Sequence, residues 1–207
     1  MAALNDANRL LALQKTGLLD TPSEETFDRL TRLASRILRV PVALITLVDA
    51  DWQFFKSQVG LPKPYNTTRE TPLTHSFCQH IVANEDVLLV NDAEVDPRVR
   101  DNLAVRDLGV IAYLGVPLRM PDGSVLGSLC AIDRKDREWE PEDVSALWDL
   151  AQIVMDEILV RLEMAERRET ESKEKRHDEL YNELKGSIVA VHSILEAVKA
   201  RLDTHGT

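Results

Sequence analysis

The sequence predicts an α+β fold, an antiparallel sheet with flanking helices, followed by a C-terminal helix or coiled coil. Two observations predict it. Nearly continuous apolar runs, VALITLVD at 42–49 and GVIAYLGVPLRMPDGSVLGSLCAID at 109–133, have the texture of buried strands and sit next to short turns, so strands are joined as hairpins. Helical periodicity is confined to segments before, between and after them, unlike the strict alternation of a parallel βαβ sheet.

Residues 5–18 read as a short amphipathic helix with Leu10, Leu13 and Leu18 among its apolar positions, and residues 1–20 form an N-terminal helical segment. In DTPSEE, Thr21 reads as an N-cap, Pro22 as the first helical position and Glu24 as the capping-box acid. Phe27, Leu30, Leu33, Ala34, Ile37 and Leu38 then recur at helical spacing until Pro41. VALITLVD follows as a strand, paired through the turn DADW with QFFKSQVG. GLPKPYNTTRETPLT, residues 60–74, reads as a proline-rich loop, HSFCQHIV as a brief helix and DVLLVND as another strand. A short helix is expected near Pro97. Two further strands meet at Pro121-Asp122-Gly123, which has the residues a tight turn needs. The sheet therefore has at least five strands.

From Pro141 the pattern is helical, with an apolar stripe through Val144, Leu147, Trp148, Leu150, Ile153, Val154, Ile158, Leu159 and Leu162. Residues 166–179, ERRETESKEKRHDE, hold no aliphatic side chain and read as a solvated helical connector or a loop. Apolar positions return at Leu180, Leu184, Ile188, Val191, Leu195, Val198 and Leu202, close to a heptad seam that implies a partner helix and a homodimer. Residues 166–207 are thus a charged connector and dimerising helix, and 21–165 the main domain.

Composition narrows the function. Of the 207 residues 44% are hydrophobic, enough for a core, and the formal net charge is −10. A chain this acidic has no general attraction for phosphate backbones or anionic membranes, so neither nucleic acid nor membrane is expected as a partner. Cys78 and Cys130 make no disulfide framework, Asp6 interrupts any signal-like start, and no apolar run reaches membrane-spanning length. A cytoplasmic protein is expected.

The stretch HSFCQH, His75 to His80, is the sharpest chemical feature. It supplies three soft ligands for a metal, but a structural zinc site takes four and no second pair exists; no metal site is expected. The plainer reading packs Phe77, Cys78 and Ile81 inward from a short helix while the histidines cap or line it, buried free cysteine behaving as a small hydrophobe. Asp92, Glu94 and Asp96 alternate like calcium ligands but lack the glycine and distal glutamate of an EF-hand loop. No hydrolytic triad and no phosphate-binding glycine loop can be assembled from the sequence.

FDRLTRLASRILRVPVALITLVDADWQFFKSQVG, SFCQHIV, LLVNDAEVDPRVRDN and YLGVPLRMPDGSVLGSLCAID, in that order, resemble a GAF domain, in the style of those preceding bacterial histidine kinases and cyclase output domains. The resemblance covers about residues 5–165. It implies an antiparallel sheet with a ligand pocket on one face and a helical bundle on the other, with the HSFCQH helix as a pocket wall. Phe55, Phe77, Cys78, His80 and Tyr113 become the pocket candidates, and a non-enzymatic bacterial signalling sensor binding a small molecule becomes the expected function. No cofactor is named by the sequence. Bilin-binding relatives carry a cysteine commonly followed directly by histidine, whereas Gln79 separates Cys78 from His80; a bilin- or metal-binding chromoprotein using Cys78 is the alternative, as is a ligand-free scaffold for a partner kinase. Two cysteines do not match the set used by GAF-type methionine sulfoxide reductases, and the Asn-Lys-Phe-Asp-Glu signature of cyclic-nucleotide-binding relatives is missing. NELKGSIVAV, residues 182–191, is similar to the phosphoacceptor box of histidine kinases, with Asn182 where the phosphorylated histidine stands and Ser187 where the proline stands. This implies a dimerisation helix without kinase chemistry, with a histidine kinase or other signalling protein as partner; an ordinary coiled coil is the other reading.

Overall fold

The structure is a computed structural model that describes the backbone of residues 4–204 and the side chains of residues 4–187. Six strands form one sheet in the order β3-β2-β1-β6-β5-β4: β1 (Val42–Val48), β2 (Trp52–Val59), β3 (Glu70–Pro72), β4 (Leu88–Val90), β5 (Ala112–Arg119) and β6 (Val125–Asp133). Every neighbouring pair is antiparallel. The central strands β1 and β6 are buried along their whole lengths, which is why their sequences read as apolar runs rather than alternations. The helices are α1 (Ala7–Lys15), α2 (Glu25–Leu38), α3 (Tyr65–Thr68), α4 (Cys78–Asn84), α5 (Leu103–Leu108) and α6 (Pro141–Thr204). The chain divides into two units, Met1–Val160 and Arg161–Thr207.

In the first unit the sheet separates two packed layers. On one side α2 lies on β1 and β2 and buries Phe27, Leu30, Ala34 and Leu38; residues 141–160 of α6 bury Leu147, Leu150, Ala151, Val154, Met155 and Ile158, while Ile153 stays exposed. On the other side α4 lies on β6, β5 and β1 and buries Cys78, Ile81 and Val82. The N-terminal turn of the first helix is pinned too: Asp6 caps α1 through Arg9 N–H, and the buried Arg9 guanidinium donates to Val48 O at 2.6 Å and Leu4 O at 2.5 Å.

The α2 start differs from the capping-box expectation. The helix begins at Glu25, and Thr21-Pro22 is extended before it. The reason is tertiary: the fully buried Lys56 ammonium donates to Thr21 Oγ1 at 2.6 Å and Pro22 O at 3.0 Å, pairs with the Glu24 carboxylate and lies over the Phe27 ring. Residues that would cap a helix serve instead as ligands for a buried cation. A β-bulge between Ile45 and Thr46 marks the same place on the sheet.

The 60–74 segment is not a plain loop. It contains α3, β3 and a 3-10 turn at Leu73–His75, held because Gln53 Nε2 donates to Thr71 Oγ1 at 2.8 Å and Arg69 donates to Thr21 O and Lys56 O. The helix expected near Pro97 forms later, where Asn102 caps α5 by accepting from Ala104 N–H at 3.0 Å. In the second unit residues 166–179 are helical, and the i,i+4 pairs Glu163–Arg167 and Glu169–Lys173 lie on its surface. Leu180, Tyr181 and Leu184 are 55–60% exposed. The seam positions Ile188, Val191, Leu195 and Val198 lie outside the described side chains.

Candidate functional site

Between the sheet and the α4–α5 layer lies a partly open, mostly apolar hollow of about 30 Å³. Its floor comes from Val42 and Leu44 of β1, Phe55 of β2, Tyr113 of β5 and Ile132 of β6; Phe77, Cys78, Ala104 and Val110 form the cover. Gln53, His75 and Arg134 bring the polar groups. Sequence periodicity places alternate residues of each strand on this face, so the buried strands supply the floor, while α4 and α5 are short elements laid over it.

Of the pocket candidates, Phe55, Phe77, Cys78 and Tyr113 line the hollow and His80 does not. Phe77 and Tyr113 stack at 5.2 Å between ring centroids, tilted by 51°. His80, two positions beyond Cys78 on α4, faces a surface groove shared with Thr74, Pro97, Arg98 and Asn102. A helix turns through about 200° over two residues, so when Cys78 points in, His80 points out. Burial first and the Arg98 charge second depress the His80 pKa below its ordinary value, opposed by Asp96.

Gln53, His75 and Arg134 are the lining residues that sequence reasoning did not assign to the pocket. Their signal is tertiary. Ser76 Oγ donates to Gln53 Oε1 at 2.5 Å, and Asn102 Nδ2 donates to Ser76 O at 2.9 Å, so one chain of hydrogen bonds ties β2, the junction between the 3-10 turn and α4, and the cap of α5. His75 Nε2 lies 3.1 Å from Asp107 Oδ2. The hydrogen bond from Arg106, then that from His75, holds the Asp107 carboxyl down at about 2. Arg134 donates to Gly60 O at 3.4 Å.

The inner end of the hollow is a polar cluster inside the apolar core. Cys78 Sγ lies 3.3 Å from Tyr113 Oη. Behind them stand Cys130 and, as register partners on β1 and β6, Thr46 and Ser128. Gly115 makes the room: a Cβ there would come within 2.6 Å of Tyr113 Oη and 2.5 Å of Ile81 Cδ1. The Cys78 thiol is pulled down to about 6, first by the Cys130 thiol as hydrogen-bond donor and, against the cost of burial, by Ser128, Tyr113 and Thr46. Burial pushes Cys130 well up, as it does Tyr113. The Thr46 and Ser128 hydroxyls are fully buried and make no hydrogen bond of ordinary geometry, yet they stand close enough to the thiols to favour a thiolate on Cys78 as hydrogen-bond donors.

HSFCQH therefore splits three ways, with His75 at the rim, Cys78 inside and His80 outside. Among the described residues no cluster of three or more histidine, cysteine or acidic side chains could hold a metal ion. Asp92 and Asp96 are spent as turn acceptors for Glu94 N–H and Arg98 N–H, and the Arg98 guanidinium holds the Asp96 carboxyl low.

The chain is 35% identical over 153 residues to a cyclic di-GMP phosphodiesterase of Pseudomonas aeruginosa, covering 73% of this chain and 25% of that protein. It is 39% identical over 71 residues to the diguanylate cyclase DgcP of Escherichia coli, covering 32% of this chain and 21% of that one. The chain thus spans a quarter or less of the length of these relatives. Among solved structures, the GAF domain of an Acinetobacter phosphoenolpyruvate-protein phosphotransferase superposes with a TM-score of 0.57 at 16% identity, covering 78% of this chain and 99% of that domain, a likeness of fold. The GAF domain family model matches residues 22–158, the stretch that holds the whole sheet and both layers of the hollow, and the chain belongs to the GAF domain family.

Proposed function

We propose that this chain is a non-enzymatic regulatory sensor segment of bacterial signalling, its GAF hollow receiving a compact small molecule and its C-terminal helix pairing with that of a second copy. The observation that carries the reading is the hollow itself. It is concave and mostly apolar, with a few polar groups converging from separate elements, the construction of a recognition site. The relatives support a regulatory role. One is named a cyclic di-GMP phosphodiesterase and the other a diguanylate cyclase, and the matches span a quarter or less of each, which supports a regulatory segment rather than either catalytic one.

The relay rests on the second unit. Leu180, Tyr181 and Leu184 expose an apolar strip along one helix, as a coiled-coil seam awaiting its twin would. Residues 166–207 are then the dimerising segment, with a histidine kinase or other signalling protein as downstream partner. Both cysteines are free, in keeping with a reducing, cytoplasmic setting.

One observation favours a second reading. About 30 Å³ is far below the roughly 300 Å³ where small-molecule sites usually begin, so side chains nearly fill the space and the domain could serve as a ligand-free scaffold for a partner kinase. The same volume weighs most heavily against a bilin on Cys78. Native mass spectrometry of the protein purified from its own host separates these readings. A dimer that retains a small molecule is the expected result. A dimer free of any retained mass favours the scaffold, and a bare monomer overturns both ligand and relay.

A further inference from the structure

We propose that Cys78 and Cys130 form a peroxide-responsive dithiol on the inner wall of the hollow, Cys78 acting as the attacking sulfur and Cys130 as the resolving one. The proposal is independent of the ligand reading above. The two cysteines of the chain are far apart in sequence yet belong to one buried cluster, Cys78 on α4 and Cys130 on the β6 strand that α4 covers, where Cys130 is the register partner of Gly115 beneath Ile81 and Tyr113. Cys78 lines the hollow, so a reagent entering the space meets its sulfur first, while Cys130 stands behind it. Tyr113 Oη, 3.3 Å from Cys78 Sγ, is placed to donate a hydrogen bond to a thiolate.

The second observation is the pair of orphan hydroxyls. Thr46 Oγ1 and Ser128 Oγ are fully buried and make no hydrogen bond of ordinary geometry, and both are near enough to the Cys78 thiol to act on it as hydrogen-bond donors. A buried hydroxyl left unsatisfied costs free energy, and these two are arranged where a small, polar, hydrogen-bonding molecule beside the sulfur would satisfy them. The hollow sets the size of that molecule. A buried water needs about 10–15 Å³ of such space, so about 30 Å³ admits hydrogen peroxide and excludes bulky organic hydroperoxides. The depressed Cys78 thiol and the raised Cys130 thiol agree with the assigned order, since the thiolate is the attacking species.

The chemistry balances. The Cys78 thiolate attacks one peroxide oxygen, the O–O bond breaks, and the departing hydroxide takes a proton to become water, leaving a sulfenic acid on Cys78. The Cys130 sulfur then attacks the sulfenic sulfur; the S–O bond breaks and a second water leaves with the Cys130 proton. In total, two thiols lose two electrons and two protons to form one disulfide, and one peroxide is reduced to two waters. The bridge fixes α4 to β6 and fastens the cover of the hollow to its floor.

The test uses the full chain, exposed to hydrogen peroxide, then denatured in a thiol-alkylating reagent and weighed intact. The expected product is a monomeric chain lighter by two hydrogens, carrying no alkyl group, with Cys78 and Cys130 peptides linked after digestion. In Cys130→Ser the oxidation should stop at a Cys78 sulfenic acid that a cyclic diketone captures, and in Cys78→Ser the remaining thiol should stay alkylatable. Cumene hydroperoxide should bridge the wild-type chain at least about tenfold more slowly, since access is through the small hollow. Full alkylation of both cysteines in peroxide-treated wild type overturns the proposal, with no dependence on how either variant folds. A disulfide found only between two chains overturns it as well.

Discussion

The two faces of the sheet differ in how completely their buried polar groups are partnered. On the α2 face every polar intruder has an assigned partner: Lys56 is met by Thr21, Pro22 O and Glu24, and Ser57 donates to Asp28 at 2.6 Å while touching Thr31 at 2.7 Å. On the α4 face the Thr46 and Ser128 hydroxyls have none, two thiols and a phenol crowd together, and a hollow remains. Satisfied polar networks in a low-dielectric core fix one arrangement, whereas incomplete ones leave free energy to be gained by change. The α2 face is closed by satisfied pairs, whereas the α4 face keeps two unsatisfied hydroxyls near a hollow.

That contrast breaks most visibly at Glu24. Glu24→Ala removes the carboxylate paired with a buried ammonium, and unfolding by denaturant should show a loss of about 3 kcal/mol. A loss below about 1 kcal/mol would mean the α2 face does not depend on its buried pair. On the other face the sign should reverse. Thr46→Val keeps the shape and removes an unsatisfied hydroxyl, so the same measurement should show a gain of about 1 kcal/mol; a comparable loss would show the hydroxyl already satisfied. The smallest effect concerns His80, flanked by Arg98 and Asp96. Its folded pKa lies below the ordinary 6.5, so the unfolded chain binds more protons there as pH falls through that value, and the contribution present above it is lost on acidification. His80→Gln should flatten the decline in stability between pH 7 and pH 5. An unchanged slope would remove His80 from the account.

The sheet was legible where strands are buried on both faces: VALITLV and VLGSLCAID carry their environment in their composition. β3 was hidden because three residues, Glu70–Pro72, are too few to show a period and are recruited by Gln53 from a neighbouring strand. The DTPSEE signal misled for a related reason, since a capping motif describes local options and Lys56, more than thirty positions away, took the same oxygens. At the site, Phe55, Phe77, Cys78 and Tyr113 were reachable through family resemblance and strand alternation, and they line the hollow. His80, a pocket candidate by resemblance and a capping or lining residue by helix packing, faces the outer groove two positions beyond Cys78, and Gln53, His75 and Arg134 come from elements whose meeting no local pattern encodes.

Gly115 gives the fold a single adjustable point. It lies under both Ile81 and the Tyr113 hydroxyl, and one added methyl would overlap each of them. Drift at this position alone would therefore lift the roof or swing the phenol aside, leaving the remaining scaffold untouched. Related chains with different appetites could diverge by so small an edit.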